Sequence, residues 1–154
     1  MRAIDTAAKA EQARSLFLKG CNCAQAVFAA YADEMGLSEK EALRIAGGMG
    51  GGIGGLRFTC GAVSAMALVL GALQGYDDPA DAEGKKQLYA RIQTLHARFT
   101  DEYQTSNCKA LLEAAGIAAN AMPSERTPEY YKTRPCVRYV EKCAELVGEE
   151  LNHL

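Results

Sequence analysis

The chain of 154 residues has no apolar run long enough to cross a membrane. Its most apolar stretch, Ala62 to Leu73, is about 12 residues where a span needs roughly 20, and it reads instead as a buried central helix. The segment from Met1 to Gly20 has no uninterrupted apolar core, because Lys9, Glu11, Arg14 and Lys19 interleave with its alanines. A signal peptide requires such a core, so a cytoplasmic location is expected and membrane insertion is not. No long block carries charge of one sign, and the formal net charge is -2. Nucleic acid is therefore not an expected partner, and nothing recommends an acidic lipid. Cys-x-x-Cys is absent, which leaves zinc ribbons and thioredoxin-type motifs without support. The only histidines are His96 and His153. A Cys/His nucleophile pair would have to use His96, which reads more simply as a polar-face residue of a long helix.

No convincing strand alternation, internal repeat or low-complexity linker is found either. Ala and Gly outnumber Val, Ile and Thr, which favours close-packed helices over sheet. The expectation is an all-α fold: one domain over residues 1–154, a compact bundle of about six to seven helices, with a glycine-rich loop before the central buried one. A chain of this size buries enough surface to fold without disulfides.

Caps and apolar periodicity place seven helical segments. The first runs from Asp5 to Leu18. The second starts at Asn22 and runs to Met35, with Ala24, Val27, Phe28 and Tyr31 on its core face. The third opens on Ser38 with Glu41 in capping-box position. Between Gly47 and Gly55 only Met49 and Ile53 are not glycine. The fourth helix runs from near Thr59 to Leu73. Asp78-Pro79 opens a fifth that reaches Tyr103, with a bend expected near Gly84. Asn107 caps a sixth ending at Gly116, Asn120 to Thr133 reads as turn-rich, and Pro135 starts a seventh running to Glu150.

Four of the six cysteines then fall in the first turn of four different helices: Cys23, Cys60, Cys108 and Cys136. Orphan N–H groups and the positive end of the macrodipole favour a thiolate there, and Arg57, Lys109, Arg134 and Arg138 lie close in sequence. Cys21 forms a Cys-x-Cys pair with Cys23, too close for an unstrained disulfide; it reads as an accessory metal or resolving thiol, or as incidental. Cys143 lies two helical turns, about 10 Å, beyond Cys136, and reads as packing. The glycines match G-x-G-x-x-G only formally, since no strand precedes them and no Gly-Lys-Ser/Thr follows. Gly51, Gly52, Gly54 and Gly55 either permit a tight turn between helices or offer bare amides to an anion beside Cys60.

Gly20-Cys21-Asn22-Cys23-Ala24-Gln25-Ala26-Val27, the run ending Gly51-Gly52-Ile53-Gly54, Cys60-Gly61-Ala62-Val63-Ser64, Ser106-Asn107-Cys108-Lys109-Ala110-Leu111 and Cys136 before Tyr139-Val140 together resemble the C-GCAxxG-C-C family of small proteins described as redox-active. The resemblance spans about Arg14 to Val147. It implies that the family's four characteristic cysteines correspond to Cys23, Cys60, Cys108 and Cys136. One departure is Ala65, where the motif expects glycine.

Three functions follow as expectations. The first is thiol redox or electron transfer by those four cysteines, of thiol-oxidoreductase type, with a redox partner protein. The second is an iron–sulfur cluster or metal ion held by the same four thiolates. The third is a structural or interaction domain. Exposed helical faces would also permit a homodimer.

Overall fold

The computed structural model describes residues 2–120 and 122–153. Met1, Ala121 and Leu154, which the readings of the N-terminus, the turn-rich segment and the domain span also covered, lie outside them. The described residues are all-α, with nine α-helices and one short 3-10 turn. These are α1 (Thr6–Leu18), α2 (Cys23–Ala30), α3 (Ala32–Met35), α4 (Glu39–Ala46), α5 (Gly61–Gln74), α6 (Ala82–Tyr103), α7 (Cys108–Ala114), α8 (Pro128–Thr133) and α9 (Cys136–Asn152).

Local chemistry explains where the helices begin. Asp5, Asn22, Ser38, Asp81, Asn107 and Thr127 each accept a hydrogen bond from a backbone N–H of the first turn they cap. At α2 the box is reciprocal, because the Gln25 side chain accepts from the Asn22 N–H at 3.0 Å. Such caps contribute about 1 kcal/mol each.

Four expectations from the sequence are corrected. The helix from Asn22 to Met35 breaks at Tyr31, which leaves helical geometry at φ -105, ψ 12. Its ring is fully buried and its hydroxyl donates to the Ala144 carbonyl of α9 at 2.7 Å, so a tertiary anchor overrides helix continuity. Asp78-Pro79 forms a turn, with the Asp78 carboxylate accepting from the Ala80 N–H at 2.9 Å, and Asp81 supplies the cap instead. The helix that follows runs unbroken through Gly84. Thr59 does not open α5; it pairs as an isolated bridge with Asn107, and Cys60 takes the cap position. Finally, the turn-rich segment contains α8, begun by Thr127 and Pro128.

Helix α2 sits at the centre, against α1, α4, α5 and α9, while α9 runs along α1 and also packs on α5 and α6. Helix α5 is buried along Ala62, Val63, Ala65, Met66, Val69 and Leu70; α2 is enclosed more completely still, from Ala26 to Ala30 without interruption. Small side chains make this possible: Ala24, Ala26, Ala62, Ala65 and Ala144 have no exposed surface. Helices α2 and α5 approach closely at Gly61, where an added Cβ would lie 3.1 Å from the Ala24 N. The starts of α2 and α5 are thereby brought together, and with them Cys23 and Cys60.

Candidate functional site: a four-cysteine cavity

The starts of α2, α5, α7 and α9 converge on one cavity of about 360 Å³, and Cys23, Cys60, Cys108 and Cys136 all line it. Cys23, Cys108 and Cys136 are the first residues of their helices, and Cys60 caps α5. Backbone bonds lock two of these starts side by side. The Cys60 N–H donates to the Ser106 carbonyl at 2.7 Å, and the Cys108 N–H donates to the Phe58 carbonyl at 2.5 Å. All six cysteines are free thiols. Cys21 and Cys143 are not part of the cavity wall: Cys143 is fully buried in the core, and Cys21 is half-buried beyond the α2 cap.

The glycine loop forms another part of the wall through Gly51, Gly52, Gly54 and Gly55. From Gly51 to Gly55 every residue, Ile53 included, has positive φ, so the loop curls back on itself. An alanine Cβ at Gly52 would lie 2.5 Å from the Phe58 N. The amides of Ile53, Gly54, Gly55, Leu56, Arg57 and Phe58 are all spent on loop carbonyls. The turn thus consumes the amides of Gly54 and Gly55, whereas among the described residues no loop carbonyl accepts from Gly51 or Gly52. Positive charge comes from side chains instead. Arg57, held at φ 63, places Nη1 3.5 Å from the Cys108 sulfur.

Two further guanidiniums line the cavity, Arg126 and Arg134. Arg126 stacks on the Phe17 and Tyr130 rings at 4.7 and 4.6 Å and donates to the Cys21 carbonyl at 3.0 Å. Arg134 lies over Tyr130 and donates to Ser124 Oγ at 2.6 Å. Arg126, Ser124 and Tyr130 were not singled out by the sequence, and Tyr139 was named there only within the family motif. The first three fall in or beside the segment read as turns, although Thr127-Pro128-Glu129 is itself a helix-start signal. Of the four basic residues near the cysteines, Arg57 and Arg134 reach the cavity. Lys109 pairs with Glu113 at 3.8 Å, and Arg138 is exposed.

The thiols differ sharply in acidity. Cys23 is pushed well above the ordinary thiol value, first by the neighbouring Cys136 thiol and then by burial. Cys136 is pulled down to about 7, first by the neighbouring Cys23 thiol, with Arg134, Arg126 and Arg57 assisting against desolvation. Cys60 is held up at about 12 by burial, which outweighs the Ala62 and Val63 N–H groups. The expectation that every helix start would favour a thiolate is therefore corrected. A helix end contributes about 0.3–1 kcal/mol, whereas full burial moves a pKa much further, so desolvation wins unless a donor and cations oppose it.

His96 is exposed and bonds to Ser106 Oγ at 2.7 Å, away from the cavity, so no Cys/His pair forms. Among the described residues no three cysteine, histidine or acidic side chains stand close enough to share a metal ion. Ala65 is accommodated with no exposed surface, so the extra methyl leaves α5 fully packed. No helix among the described residues is long and apolar enough to cross a membrane.

No curated protein and no solved structure matches the chain. A family model does: C_GCAxxG_C_C, described as "Putative redox-active protein", matches residues 21–150, a span that contains all four cavity cysteines. The chain belongs to the C_GCAxxG_C_C family.

Proposed function

We propose that the protein is a dithiol–disulfide oxidoreductase in which Cys136 is the nucleophile and Cys23 the resolving thiol. The observation that carries this reading is geometric: Cys136 and Cys23 start α9 and α2 on the wall of one cavity with Arg57, Arg126 and Arg134, where the neighbouring Cys23 thiol and then these arginines lower Cys136 to about 7. A thiol near neutral pKa is a large fraction thiolate at working pH and still a good nucleophile. The Cys136 thiolate attacks one sulfur of a disulfide substrate, forms a mixed disulfide and expels the other half as a thiolate. Cys23 then passes its proton to the expelled thiolate and attacks the Cys136 sulfur. This releases the second half as a thiolate and leaves a Cys23–Cys136 disulfide. Two electrons pass from the protein dithiol to the substrate, and an external thiol reductant restores the dithiol.

Cys60 and Cys108 line the same cavity and are available for exchange with that disulfide. Cys60, held protonated by burial, does not compete for the first attack. A reducing compartment such as the cytoplasm suits this cycle, since it returns the pair to the dithiol form.

The test is oxidation of the reduced protein with one equivalent of hydroxyethyl disulfide, followed by peptide mapping. A Cys23–Cys136 disulfide, with a Cys136 mixed disulfide trapped in Cys23→Ala, is expected. Oxidation confined to Cys21 or Cys143, with Cys23 and Cys136 left as thiols, would overturn the reading.

A further inference from the structure

The cavity around Cys136 carries a charge that the exchange chemistry alone does not need. Arg57, Arg126 and Arg134 line it, and no aspartate or glutamate does. None of the three forms an ion pair among the described residues, whereas Arg14, Arg91 and Arg98 elsewhere pair with Glu141, Glu150 and Glu149. Their observed partners are neutral carbonyls, a hydroxyl and a thiol. A guanidinium has five N–H donors, so each retains unused donors and its full charge. The three are also held in place. Arg57 Nε donates to the Asn120 carbonyl at 2.8 Å, Arg126 is stacked between aromatic rings, and Arg134 lies 4.9 Å from the Tyr130 centroid. Three guanidinium charges and one thiolate leave a local excess of +2 (three minus one) in a cavity of about 360 Å³. That volume suits a small molecule.

We propose that the substrates are small disulfides bearing negative charge, a dianion matching the cavity best, with Arg57, Arg126 and Arg134 receiving the anionic groups. This rests on the reading of Cys136 as the nucleophile. For an isolated thiolate, like-charge repulsion makes an anionic disulfide the slowest partner. Here the order is reversed, because the arginines outnumber the thiolate. The attacking bond and the leaving thiolate are those of the exchange described above, and the arginines also lie where the departing thiolate and its carboxylate need stabilising.

The test compares three disulfides of equal chemistry and different charge on the full-length reduced protein: dithiodipropionate (a dianion), hydroxyethyl disulfide (neutral) and cystamine (a dication). The rate of Cys23–Cys136 disulfide formation is followed by mass spectrometry. The dianion should exceed the neutral reagent by about tenfold at low ionic strength. Cystamine should be slowest, and the differences should collapse in about 1 M salt. Arg126→Gln and Arg134→Gln should each lower the dianion-to-neutral rate ratio by about threefold or more. The salt dependence of the unaltered protein decides the matter should either variant fail to fold. Equal or faster reaction of the neutral reagent, with the disulfide still forming, overturns charge selection and leaves the oxidoreductase reading standing. No Cys23–Cys136 disulfide from any of the three overturns both.

Discussion

Arg126 shows how much one side chain contributes at the residue scale. It joins the α1 end to the cavity by stacking on Phe17 and bonding to the Cys21 carbonyl, and it stabilises the Cys136 thiolate from there. Arg126→Gln should therefore raise the Cys136 pKa from about 7 towards the ordinary thiol value, read as thiolate absorbance against pH. Cys23→Ala should raise it further, because the first cause of the lowering is the neighbouring Cys23 thiol. An unchanged Cys136 titration in both variants would contradict the influence of Cys23 and Arg126 on Cys136. The four cysteines were legible in the sequence because each follows or occupies a capping position, a short-range pattern. Arg126 was not legible, because its role depends on a contact between residues more than a hundred apart in the chain.

At the scale of elements, the glycine loop and the helix starts it joins position the thiols. Gly52 has φ +69 and no room for a Cβ against the Phe58 N. Gly52→Ala should destabilise the protein by about 1–3 kcal/mol, measured by urea denaturation. It should also slow Cys136 oxidation, since Arg57 and the Cys60–Ser106 bond follow the loop. Stability within about 0.5 kcal/mol of the parent would show that the loop tolerates the strain elsewhere. Most helices were legible from Asp, Asn and Ser caps. The departures arose where one local signal competed with a stronger one. Asp78 formed a turn and left the cap of α6 to Asp81, the Thr59–Asn107 bridge displaced the start of α5, and the buried Tyr31 hydroxyl broke a helix whose apolar stripe continues through it.

For the whole molecule, burying neutral thiols in a small-residue core makes stability depend on alkaline pH. Cys60 is raised to about 12, and Cys23 and Cys143 are raised as well. A group whose pKa is higher in the folded state contributes fully below its unfolded value and loses that contribution as pH rises through the folded one. Unfolding free energy should thus fall between about pH 9 and 12. The slope is on the order of 1.4 kcal/mol per pH unit for each thiol that is ionised in the unfolded chain and neutral in the fold. Cys136 acts oppositely: its contribution is present above the unfolded value near 9 and lost as pH falls through about 7. Cys60→Ala should flatten the alkaline decline in a series of denaturation midpoints. An unaltered slope would mean that Cys60 is not held neutral by the fold. The all-α bundle itself was legible from composition and caps, whereas the convergence of four helix starts on one cavity is a property of tertiary packing that no local pattern encodes.

The assignment of Cys136 as nucleophile is tested most directly by the alkylation rate of each of the six thiols with a neutral reagent as a function of pH, resolved by peptide mapping under reducing conditions. Cys136 should titrate near 7 and react before Cys23 and Cys60, with its inflection moving upward in Cys23→Ala. If Cys136 instead titrates at or above the ordinary thiol value, alongside the other cysteines, the nucleophile assigned here is wrong.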